Sequence, residues 1–100
     1  MTDQRAVLLE AWNDLSATTD VLLASLEASD EDKAHEAVSV MLMQGLNYFG
    51  SNSVAMKQCF TVWDAIKLHI DRSDLTRALS QARRWRAQLD EIISIVGQEK

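Results

Sequence analysis

The chain has 100 residues, with fifteen acids and ten bases and a net charge of −5. That length suits one domain, and a composition 47% hydrophobic and 25% charged excludes a disordered chain. A single cysteine excludes an internal disulfide framework and thiolate-based zinc or iron–sulfur sites, and the acidic balance argues against direct nucleic-acid binding.

The first predicted helix covers about residues 3–28. Leu8, Trp12, Leu15, Thr19, Leu22 and Leu26 recur at alternating steps of four and three, which places them on one stripe. Thr2 is its expected N-cap. Asp3, Glu10 and Asp14 fall on the opposite, water-facing side. The second helix is expected over 30–49. Ser29 reads as its N-cap, with Asp30, Glu31 and Asp32 in the first turn, where exposed N–H groups favour carboxylates. Gly50 is a natural stop because it tolerates positive φ. Apolar residues here, Val40, Met41, Leu42, Met43, Leu46 and Phe49 among them, cover more than half the circumference. Such a helix is expected to be central or to lie at an interface.

Ser51-Asn52-Ser53 forms a polar turn before a third helix over 53–70. That helix carries Ala55, Cys59, Val62, Ile66 and Ile70 on one side, widened by Met56, Phe60 and Trp63. Ser73 is the expected N-cap of a fourth helix over 74–96, although the Asp71–Asp74 segment is also compatible with fusion of the last two helices. Leu75, Ala78, Ala82, Trp85, Leu89, Ile92 and Val96 form its stripe, and Gly97 its expected end. Short turns force neighbouring helices antiparallel. The fold class expected is therefore all-α, a four-helix antiparallel bundle or close variant, with 1–100 as a single helical domain.

No residue pattern points to catalysis. Asp32-x-x-His35, with Glu36 beside it, is one half of a di-iron-type motif, and His69 has no acid three positions before it to supply the other. Cys59 lies on an apolar stripe, where a thiol behaves as a small hydrophobe. No glycine-rich loop is present to hold phosphate. The expectation is no enzyme, no metal and no cofactor. Trp12, Trp63 and Trp85 sit on or beside buried stripes and read as core. Arg77, Arg83, Arg84 and Arg86 read first as a solvated face partly paired with the acidic first helix, and second as a site for a protein or phosphate. The start of the chain lacks the basic and apolar regions of a secretory signal. The uncharged run Ala37–Met56 is interrupted by Gln44, Gly45, Asn47 and Gly50, so no membrane span is expected. A cytoplasmic protein follows by default.

Tyr48-Phe49-Gly50, then Ser51-Asn52-Ser53 and Trp63-Asp64-Ala65, resemble the mid-chain bend of secreted WXG-type helical hairpins, with Tyr48 where that motif has tryptophan. The resemblance covers under a fifth of the chain and implies a two-helix hairpin.

Charge is unevenly divided. Residues 1–36 hold nine acids and two bases, and residues 37–63 hold Lys57 alone. The function expected from this is protein–protein interaction: an inhibitor or antagonist of immunity or anti-defence type. It would occupy a basic site, for instance on a nucleic-acid-binding protein, through Asp3, Glu10, Asp14, Asp30, Glu31, Asp32 and Glu36. The alternative is a structural or scaffolding homo-oligomer. A homodimer is expected in either case, with Val40, Met43, Phe49, Met56 and Phe60 as its interface, because these exceed what one small core should bury.

Overall fold

A computed structural model describes residues 4–98. Four helices follow one another: α1 (Gln4–Glu27), α2 (Glu31–Phe49), α3 (Val54–Asp71) and α4 (Leu75–Gln98). Each packs against its chain neighbours, and α4 returns to α1, which closes an up-down-up-down four-helix bundle. No strand occurs among the described residues. The bundle measures 46 × 25 × 17 Å. The four-helix break-up overturns the hairpin implied by the WXG-type resemblance: α1 stops before residue 28, where a hairpin would need one long helix.

The stripes expected from spacing are the core. Trp12, Leu15, Leu22 and Leu26 of α1 meet Val38 and Met41 of α2, Trp63, Ile66 and Ile70 of α3, and Trp85 and Leu89 of α4. Leu8 is the exception. It is 41% exposed, and Ala11 is buried in its place. Small buried residues, Ala11 and Ser16 on α1, Ala34 and Ala37 on α2, Ala78 and Ala82 on α4, keep side chains short where α1 meets its two neighbours. Trp63 and Trp85 cross edge to face, with ring centroids 5.7 Å apart. Gly45 of α2 lies directly under Trp63: a Cβ there would sit 2.8 Å from two carbons of the indole.

Two connections correct the expected caps. Ser29 and Ser73 are not N-caps; both adopt left-handed backbone, φ 56 and 58. Each closes the helix before it. Ser29 N–H donates to the Leu26 carbonyl and Asp30 N–H to that of Ser25; Ser73 N–H donates to Ile70 and Asp74 N–H to His69. This six-to-one plus five-to-two pattern is the Schellman stop. The aspartate that follows then starts the next helix. The Asp30 carboxylate accepts from Lys33 N–H at 3.1 Å, and that of Asp74 from Arg77 N–H at 3.2 Å. The same Ser-Asp pair thus makes both connections, and α3 and α4 are separate helices. At the other end, Gly50 at φ 78 ends α2, while Ser53 caps α3 by accepting from Met56 N–H. Gly97 lies within α4 rather than after it. Thr2 lies outside the described residues.

Asp30→Ala and Asp74→Ala are each expected to lower stability by about 1 kcal/mol. Ser29→Ala and Ser73→Ala, which remove no cap, should cost clearly less. Urea unfolding of the four variants checks the assignment.

Candidate functional site

Three of the seven acids singled out from sequence, Glu10, Asp14 and Glu36, lie on the face where α1 meets α2. Glu10, Asp14, Thr18 and Val21 follow one another along one side of α1 at steps of four, four and three. Lys33, Glu36, Ala37, Val40, Gln44 and Tyr48 run the opposite way along α2. Hydrogen bonds stitch the two rows together. Tyr48 Oη donates to Asp14 Oδ2 at 2.5 Å, and Thr18 Oγ1 donates to Gln44 Oε1 at 2.9 Å. Below them Ala17, Val21, Ala37 and Val40 line an open, mostly apolar groove of 450 Å³, with Lys33 and Glu36 at its foot. Twelve residues of α2 separate Tyr48 from Glu36, about 18 Å along the helix. Carboxylates therefore stand at both ends of one apolar strip.

Other acids of α1 and of the start of α2 lie away from this face. Asp30, Glu31 and Asp32 lie at the end of the bundle, where Asp30 is engaged as a cap. Asp20 and Glu27, on the α4 side of α1, are neutralised: Arg86 Nε lies 2.8 Å from Asp20 and Arg83 3.7 Å from Glu27. Arg86 also bonds Asp90, and its hydrogen bonds to Asp20 and Asp90 hold the guanidinium even more firmly protonated than usual. Arg77 pairs with Asp74. Arg84 has no ion pair among the described residues and stands exposed beside Trp85 at the α3/α4 groove. Glu10 and Asp14 form no ion pair among the described residues. Asp3 lies outside the described residues.

The phenol of Tyr48, the only tyrosine, is pushed up from 10.0 to about 12, first by its hydrogen bond to Asp14, then by partial desolvation, and last by the charges of Asp14 and Glu10. The hydrogen bond therefore contributes fully below pH 10 and is lost as pH rises through about 12. Absorbance titration of the phenolate should show that high midpoint in the wild type and a fall toward 10 in Asp14→Asn.

The expected interface residues are scattered by the fold. Met56 is 3% exposed and belongs to the core beside Gly45, so it offers little surface to a partner although it lines the floor of the α2/α3 groove. Phe49 is half-buried against Trp12, ring centroids 4.9 Å apart, so one core does bury most of it. Val40 opens into the α1/α2 groove. Met43 and Phe60 stay exposed, at 64% and 48%. Hence α2 is a corner helix like the other three, and its surplus apolar residues face outward.

No group of three or more metal-ligating side chains occurs among the described residues. His35 Nε2 instead meets Asp71 Oδ1 at 3.0 Å, tying the start of α2 to the end of α3. Cys59 is buried, and burial pushes its thiol up to about 11, far from the thiolate a nucleophile needs. No described helix is long and apolar enough to cross a membrane. Comparisons with protein families, with curated proteins and with solved structures return no match.

Spacing placed Glu10 on an exposed face, while Asp14, expected there too, is half-buried under Tyr48. It missed Tyr48, Thr18, Gln44 and Val21 as their companions. The signal was present in Asp14, Thr18 and Val21, which share a helix side that the heavier leucine stripe obscures.

Proposed function

We infer that the chain is a non-enzymatic binding protein, of inhibitor or antagonist type, that presents its α1/α2 face to a basic site on another protein. The observation that supports this best is the apolar groove bracketed by carboxylates, Glu10 and Asp14 above and Glu36 below. Apolar burial would hold such a contact, while the acids along it steer a cationic partner toward it and reject anionic surfaces such as nucleic acid. The fixed Asp14–Tyr48 and Thr18–Gln44 bonds keep the upper half of this face in one arrangement, so little order is lost on binding.

The test is capture from native host cells at low and high salt. A basic partner retained by the wild type and by Arg83→Ala/Arg84→Ala, but lost from Glu10→Lys/Asp14→Lys and from Glu36→Lys, supports the reading. Capture indifferent to those three acids overturns it.

A further inference from the structure

The other exposed face of α2, which it shares with α3, has a different character. Leu46 and Phe60, 42% and 48% exposed, form facing walls of a second groove, of 510 Å³, whose remaining lining includes Leu42 and Lys57. Met43, one position along α2 from Leu42, is 64% exposed. Along α3, Lys57, Phe60, Asp64 and Leu68 recur at steps of three, four and four, one exposed row with a cation on one side of Phe60 and an anion on the other. Neither Lys57 nor Asp64 forms an ion pair among the described residues, whereas Lys67 and Asp71, a turn further on, pair with each other.

We propose that this face is a two-fold interface between copies of the chain, with α3 antiparallel to its copy about an axis between Phe60 and Thr61. That axis lies midway between Lys57 and Asp64. Each Lys57 then falls opposite Asp64 of the other copy, about 5 Å either side of the axis at helical rise. Phe60 packs on its own copy, and Leu46, on the facing wall of the groove, closes over it. A parallel two-fold pair would set Lys57 against Lys57 and Asp64 against Asp64, like charge facing like, which disfavours it. The order cation, aromatic, anion is complementary to its own reverse, so the chain supplies the partner its surface asks for. Covering Met43, Leu46, Phe60 and Leu68 also removes the largest apolar residues that this side of the bundle leaves in water. The interface leaves the α1/α2 groove open and does not depend on its proposed role.

Sedimentation from low to high micromolar concentration tests it, with circular dichroism to show that each variant keeps its helices. The expected result is a wild-type dimer and a Phe60→Glu monomer. Lys57→Asp and Asp64→Lys should each weaken the dimer about tenfold, and Lys57→Asp/Asp64→Lys together should restore it. A wild type monomeric throughout, single reversals without effect, or a double variant that stays weak overturns the proposal. Dissociation by Glu10→Lys/Asp14→Lys would place the interface elsewhere and overturn it as well. Loss of a basic partner from those variants with the dimer intact counts only against or for the α1/α2 reading.

Discussion

Trp63→Ala is expected to destabilise the bundle by about 3–5 kcal/mol, more than any other single truncation. Trp63 is 1% exposed and is the largest of the fully buried side chains. It fills the space over Gly45 and meets Trp85 edge to face. Alanine would leave a void between Gly45 of α2 and Trp85 of α4, which cannot collapse without moving a helix. A 100-residue domain of ordinary stability, about 5–15 kcal/mol, would keep little margin, and the midpoint of thermal unfolding should fall by tens of degrees, at about 4–8 °C per kcal/mol. Trp63→Phe is the informative control. Nε1 of Trp63 is buried without a hydrogen-bond partner, so phenylalanine removes an unsatisfied donor along with part of the ring. Its loss should be less than half that of alanine. Equal losses would mean that the ring's volume is not what matters.

Gly45→Ala should destabilise although it replaces the poorer helix former. In an exposed helix the change gains about 1 kcal/mol. Here the new Cβ would meet Cη2 and Cζ3 of Trp63 at 2.8 Å and Sδ of Met56 at 2.9 Å. The methionine end can swing aside, but the indole is held by Trp85 and the core. Overpacking of this kind costs about 1–3 kcal/mol, so a net loss of about 1 kcal/mol is expected, and a larger loss for Gly45→Leu. Urea midpoints of the pair, with Trp63→Phe as background to relieve the clash, decide the matter. A stabilising Gly45→Ala would show that α2 and α3 can move apart freely.

The bundle was legible because four separate stripes repeat at helical spacing and no segment alternates as a strand would. The caps were legible only to within one residue. Serine and aspartate are both good N-caps, and a Ser-Asp pair does not say which of the two takes the left-handed turn. The candidate site was half legible. Period alone marks Glu10 as exposed and would leave Asp14 equally so, yet nothing local says that Tyr48, thirty-four positions on, returns to cover Asp14. Met56 misled for a related reason. Its side of α3 is shared between core and surface, and only the glycine opposite makes room for it inside.

The paired Ser-Asp connections carry a consequence for how this chain can lengthen. In each, the stop of one helix and the start of the next occupy adjacent residues, so an inserted residue would part the stop from the start and turn the following helix on its axis. The Gly50–Ser53 connection keeps those duties apart, with the exposed Ser51 and Asn52 between them. One end of the bundle is therefore closed to insertion and the other open. Added loops, a graft or a new chain terminus would be accommodated at Ser51-Asn52, where the backbone on either side is already finished.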